Sequence, residues 1–272
     1  MKPHPFDYVR ADTVDEATEI LAQHGDDARV LAGGQSLLAM LNLRLLEPAV
    51  LIDIARISEL SEIREVGGKV EVGAAVTQNR LLAWPGLKTK LPLVAAAMPF
   101  VGHFQTRNKG TVCGSIAHAD PSSEIPLSLA TLQGEVVLRS RGGTRVLPAS
   151  EFQRGMLMTA RRPDELVTAV RFPIQASRRV AFREVARRHG DFAIVAIAAV
   201  ANGNQVRLGV SGMAGRPATR DFTAGIDLRD AINALAWELE GYEDMHATSH
   251  MRRDILRRVG PIVIEEALQC AE

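Results

Sequence analysis

Only two cysteines, Cys113 and Cys270, occur among the 272 residues. That excludes a disulfide scaffold, and it excludes a four-cysteine iron–sulfur or zinc site within this chain. Any metal chemistry has to come from elsewhere. Charge of one sign is missing too: Lys plus Arg and Asp plus Glu both total 32. The net positive charge that would argue for nucleic acid is therefore absent. No apolar run approaches the ~18–20 residues that cross a bilayer, so no membrane span is expected. The opening MKPHPFDYVR has no apolar signal core, and a cytoplasmic location is the expectation. Internal repeats, low-complexity linkers and a GxGxxG fingerprint are also lacking, which argues against a Rossmann dinucleotide site. What is present is average for a globular chain, 46% hydrophobic and 24% charged. The length allows one large domain or two to three small ones.

Three segments differ in pattern. In the first, residues 1–56, Thr13-Val14-Asp15-Glu16 fits a capping box, with Thr13 as N-cap and Glu16 at N3. Val14, Ala17, Ile20 and Leu21 keep a helical spacing, and Gly25 is a plausible stop. A short strand over 28–31, an apolar helix over 37–46 and a buried strand over 50–54 complete a small α/β unit. The second segment, 57–176, is α+β. A glycine pair at 67 and 68 joins runs 61–66 and 69–73 as a hairpin. Further strands are expected over 134–140, 144–147 and 165–172, with Pro173 closing the last and antiparallel pairing favoured. The third, 177–272, has its hairpin signal at Asn202-Gly203-Asn204 between 192–201 and 205–211. Helices follow around 228–240 and 246–270, with Pro261 expected to kink or split the second. The fold class is α+β, and the three segments are expected to pack together.

Two glycine-bearing stretches are candidates for binding an anion. Ala32-Gly33-Gly34-Gln35-Ser36 lies between a strand and a helix. Its glycines let the backbone approach an anion, and helix-start amides plus the Ser36 hydroxyl can donate to phosphate. A tight strand-to-helix turn explains the same glycines. The second stretch, residues 108–126, reads NKGTVCGSIAHADPSSEIP. Here Thr111 and Ser115 can donate to a pyrophosphate, while Asp120 or Glu124 can accept from ribose hydroxyls. An ordinary loop with an Asp-Pro turn is the alternative.

Together, AGGQS at 32–36 and RNKGTVCGSIAHADPSSEIP at 107–126 resemble the flavin-binding subunit of molybdenum hydroxylases. That group comprises the medium subunit of carbon monoxide dehydrogenase-type enzymes and the flavin domain of xanthine dehydrogenases. FREVARRHGDFA at 182–193 looks like the family's junction into its C-terminal domain, and the opening Pro5-Phe6-Asp7-Tyr8 is similar as well. The resemblance spans essentially the whole chain.

It implies a PCMH/VAO-type FAD-binding fold built from residues 1–56 and 57–176, followed by a C-terminal domain, 177–272, of antiparallel strands with packed helices. FAD would lie between the first two segments. The set implied to hold it is Ala32, Gly33, Gly34, Gln35, Ser36, Thr111, Cys113, Gly114, Ser115, Asp120 and Glu124, with Leu166 packed against the ring. Arg183 stands where the family commonly has a lysine near the flavin, although Arg and Lys are not interchangeable. It also belongs to a run with Arg178, Arg179, Arg187 and Arg188, which reads as a solvated face or a subunit contact. Asp191 can pair with these arginines or support the flavin edge. Cys113 replaces a usual glycine, which puts the local backbone in question; its thiol is either a packing group or a reactive one. Cys270 has no evident partner. No side chain is needed as a general acid or base, and His118 is left outside the chemistry.

The implied role is electron transfer. A small partner subunit would carry two [2Fe–2S] clusters, a large one molybdopterin, and reduced FAD here would pass electrons to NAD, oxygen, a quinone or another acceptor. A dimer of three-subunit units is the implied assembly. Two alternatives stand beside it: a free-standing FAD oxidoreductase with its own substrate, and a structural or assembly protein that has lost the flavin.

Overall fold

Thr13 starts the first helix with its hydroxyl, which accepts from the Glu16 amide at 3.1 Å. The Glu16 carboxylate reaches back to the amide of Asp12 at 2.8 Å, one residue earlier than a reciprocal box requires. Gly25, at φ +52°, closes the helix by donating to Leu21 O. The computed structural model describes residues 2–175, 179–225 and 227–269. Arg178, Cys270 and the expected boundary at 176/177 lie outside the described residues.

The first unit runs β1 (Asp7–Arg10), α1 (Val14–His24), β2 (Ala28–Leu31), α2 (Leu37–Asn42) and β3 (Val50–Asp53). Its three strands are parallel in the order β1-β3-β2, as the α/β reading requires. β1 carries no alternation that would mark it from sequence. Helix α2 is shorter than the expected 37–46, because Arg44 adopts φ +56° and the Leu45 amide turns back to Met40 O.

The second unit contains β4 (Ile63–Val66), β5 (Lys69–Gly73), α3 (Gln78–Leu82), α4 (Leu87–Lys90), α5 (Pro92–Ala97), α6 (Phe104–Lys109), α7 (Val112–His118) and α8 (Glu124–Thr131). It continues with β6 (Glu135–Ser140), β7 (Gly143–Pro148), α9 (Ala149–Phe152), β8 (Gln153–Gly155), β9 (Met158–Thr159) and β10 (Leu166–Pro173). The main sheet is wholly antiparallel, β4-β5-β10-β6-β7. Gly67 and Gly68, at φ +56° and +75°, make the hairpin turn between β4 and β5. Residues 108–126 are not a loop: they hold the end of α6, the whole of α7, the start of α8 and the turn between α7 and α8.

The third unit is β11 (Arg179–Val185), β12 (Val195–Asn202), β13 (Gln205–Ser211), β14 (Ala218–Thr223), α10 (Leu228–Glu238) and α11 (Ser249–Gln269). Its strands pair antiparallel in sequence order, with Asn202 opposite Gln205 across the Gly203-Asn204 turn. α11 runs unbroken through Pro261, so the expected split does not occur.

Alternation along β12 joins the two halves of the molecule. Ala196, Ala198 and Val200 enter the core shared with α1, β5, β10 and α8, whereas Val195, Ile197, Ala199 and Ala201 enter a second core with α10 and α11. Seven of the eight β12 residues are buried, which is why the strand reads as a continuous apolar run rather than an alternating one. The architecture is α+β, with antiparallel strands and packed helices at the C-terminal end. No described helix is long and apolar enough to cross a membrane.

Candidate functional site

The stretch at 32–36 and the start of α7 touch backbone to backbone. A Cβ built on Gly33 would lie 2.0 Å from Lys109 O and 2.8 Å from the Cα of Gly110. No side chain fits there, so Gly33 is required by space. Gly34, at φ +69°, is required by conformation. The next turn is fixed by Thr111, the N-cap of α7, whose hydroxyl accepts from the Gly114 amide at 2.9 Å. A Cβ on Gly114 would sit 2.7 Å from that same hydroxyl oxygen. Gln78 ties α3 to this junction by donating its backbone N–H to Gly110 O at 2.8 Å.

These contacts frame a cavity of about 590 Å³ to which all three units contribute. Ala32, Gly33, Gly34, Gln35, Ser36, Thr111, Cys113, Gly114, Ser115, Asp120, Glu124 and Leu166 all line it. Ser36 opens α2 without using its hydroxyl as a cap. The Ser115 hydroxyl is 2.9 Å from that of Ser123, and Asp120 accepts from the Ser122 amide at 2.8 Å in a tight local turn. Glu124 opens α8 and is 2% exposed. Burial, with the nearby Asp120 charge, pushes its carboxyl up to about 7. His118 also lines the cavity, and burial lowers its pKa, leaving the ring neutral at pH 7.

One sequence-derived assignment changes, and one open question is answered. Arg183 does not reach the cavity: its guanidinium donates to both carboxylate oxygens of Glu266 on α11. The cause is strand alternation, since Phe182 on β11 is buried in the main core and its neighbour Arg183 points to the opposite face. Cys113 raises no backbone conflict, because it sits in the first turn of α7 without positive φ. Its thiol donates to Val72 O at 3.4 Å, facing the sheet, and burial pushes its pKa far above the ordinary value. The thiol is a packing group rather than a reactive one. Asp191 lines the cavity and forms no ion pair with an arginine among the described residues.

Of the lining residues that escaped the sequence reading, three bear on charge and hydrogen bonding. Arg29, on β2, is held by Asp26 O and Ala28 O. Arg161 follows β9 and donates to the carbonyls of Arg162, Pro163 and Glu165. Burial and the charge of Arg29 lower the pKa of Arg161, so the two cations are near one another on the cavity wall. Gln78 lines the cavity at 6% exposure, and its side-chain oxygen has no partner among the described residues. Nothing local marks Arg161 or Gln78. Arg29 is a lone charge in a four-residue strand, a weak hint at most.

The donor set suits a dinucleotide with a diphosphate. Two arginines offset phosphate charge, glycines admit close backbone approach, and carboxylates accept from sugar hydroxyls. The orphaned Gln78 oxygen marks a place for a ligand donor.

Fold and site thus define a flavin-binding subunit of an oxidoreductase. The model of the family described as the FAD binding domain in molybdopterin dehydrogenase matches residues 4–175, and the chain belongs to that family. Over 288 aligned residues it is 33% identical to the 6-hydroxypseudooxynicotine dehydrogenase complex subunit alpha of Paenarthrobacter nicotinovorans, covering 100% of this chain and 97% of that one. It is 39% identical over 201 residues to the carbon monoxide dehydrogenase medium chain of Hydrogenophaga pseudoflava, covering 74% of this chain and 70% of that one. The solved structure of reconstituted CO dehydrogenase from Oligotropha carboxidovorans superposes with a TM-score of 0.93 at 30% identity, covering 100% of both chains. The chain is the FAD-binding medium subunit of a molybdenum hydroxylase.

Proposed function

We propose that this subunit relays electrons inside a three-subunit complex, itself paired into a dimer of heterotrimers in the cytoplasm. FAD would take electrons from [2Fe–2S] clusters on a small partner subunit, after a large molybdopterin subunit has oxidised the substrate. An external acceptor such as NAD, oxygen or a quinone would then receive them. When bound, FAD supplies the redox chemistry, and the chain's own residues bind, orient and shield it.

Arg29 and Arg161 would balance the diphosphate, with Gly33, Gly34 and the Thr111–Ser115 turn admitting it closely. Asp120 and Glu124 would take the sugar or ribityl hydroxyls. Leu166, 2% exposed at the head of β10, would give an apolar surface to the ring. The observation that carries this reading is the contact of Gly33 with the Lys109–Gly110 backbone beside two half-buried arginines, Arg29 and Arg161. The experiment is gentle purification of the chain from its native source. Molybdenum, iron and two further subunits should co-purify with it in fixed ratio. A lone flavoprotein that turns over its own substrate without either metal would overturn the relay.

A further inference from the structure

Buried acids in this chain are normally neutralised. Glu71, 6% exposed, accepts from Arg171 at 2.6 Å and from Arg64 at 2.8 Å. Glu165, 3% exposed, takes a two-point contact from Arg145 at 2.5 and 2.8 Å. The buried Glu124 and the half-buried Glu184 break that pattern. Neither forms an ion pair among the described residues, and the Glu184 Oε2 atom is buried with no hydrogen-bond partner. Glu124 lines the cavity, whereas Glu184 comes from β11 of the third unit, on the face opposite Arg183. The two are close enough for the Glu124 charge to act on Glu184.

We propose that Glu184 is a positioning residue of the flavin site, holding a proton with Glu124 at the seam between the cavity and the C-terminal sheet, so that FAD binds most tightly when the pair is protonated. This rests on the FAD reading above.

The surroundings give that proton no substitute cation. β12 and α5 carry no charged side chain, and α8 carries none besides Glu124. Arg207 and Arg220, on β13 and β14, are spent on Asp221 and Glu238. Glu151 of α9 is exposed, and Glu266 of α11 is on Arg183. His118 of α7 is neutral, Arg187 contacts His246, and His189 stacks toward Phe100 at 6.3 Å. The Asp120 charge that acts on Glu124 has the same sign. Burial and the Glu124 charge together push Glu184 up to about 8. An uncompensated carboxylate is costly in such a place, and the neutral form is favoured. Ionising either acid would place negative charge beside a ligand that carries a diphosphate.

The test is the Kd of the full apo chain for FAD, read by flavin fluorescence between pH 6 and 9. Wild type should weaken above about pH 7 and more steeply above about pH 8, by up to tenfold per unit for each proton lost. Glu184→Gln, which mimics the protonated acid, should bind at pH 6 within about twofold of wild type and lose the upper limb. Glu124→Gln should remove the lower limb and shift the upper one to lower pH. Calorimetry in two buffers of different ionisation enthalpy at pH 8.5 should show proton uptake with FAD in wild type and less in Glu184→Gln. Superimposable profiles and equal proton uptake for wild type and Glu184→Gln would overturn the pair and leave FAD binding standing. Absence of FAD binding at every pH would overturn the cofactor reading and the pair with it.

Discussion

The carbonyl oxygen of Lys109 stands 2.0 Å from the point where a side chain on Gly33 would begin. Two stretches separated by more than seventy residues are therefore in contact through bare backbone, and the cavity opens beside that contact. The relationship is steric rather than conformational, because Gly33 has no positive φ whereas its neighbour Gly34 does.

Gly33→Ala should force the 32–36 turn away from Lys109 and Gly110. Overpacking of this kind costs about 1–3 kcal/mol of stability. The expected outcome is a chain that still unfolds cooperatively, at lower denaturant, but with a much weakened Kd for FAD. Wild-type FAD affinity in this variant would show that the contact does not shape the site.

Cys113 lies under the site without serving it. Its thiol should resist alkylation at pH 8 in the native chain and react only on unfolding, as read by mass spectrometry of the peptide that contains it. Cys113→Gly places a glycine in a helix and removes a buried side chain. It should cost about 1 kcal/mol or more and leave the Kd for FAD unchanged. Rapid native labelling of Cys113 would contradict the packing role.

Glu165 sets an acid limit on stability. Burial alone would raise its pKa, but the Arg145 guanidinium and the Arg162 amide together bring it below the ordinary 4.5. A lowered folded-state pKa means that the stabilisation is complete above that ordinary value and fades as pH falls through the folded one. Denaturant midpoints should thus decline below about pH 4.5 in wild type. Glu165→Gln should cost about 1–3 kcal/mol at pH 7, by leaving Arg145 without its carboxylate, and should flatten that decline. An identical acid limb in the variant would remove Glu165 from the explanation.

The parts of the molecule legible in the sequence were those decided locally. Glycines 67, 68 and 203 mark turns because they take positive φ, and Thr13 marks a helix start because its hydroxyl satisfies a free amide. β11 and β14 went unread: both are edge strands whose partners, not their own patterns, define them. The stretch from 108 to 126 looks like a loop because it is rich in small and hydroxylic residues. It is helical because Thr111 caps α7 and Gly114 leaves room for the cap.

At the site, the glycine and hydroxyl set was legible because a diphosphate demands those groups. Arg29, Arg161 and Gln78 were not, since each reaches the cavity wall only through tertiary packing, and Glu184 was not, since only packing brings it near Glu124. Arg183 was misplaced for the converse reason. Its position along the chain suggested the flavin, and the side-to-side alternation of β11 sends it to Glu266.

The most direct measurement of the central claim is the flavin content of the gently purified chain. The visible spectrum should show bands near ~370 and ~450 nm, and heating should release FAD at about one per chain. A colourless protein that takes up no added FAD, even with its partner subunits present, would contradict the account.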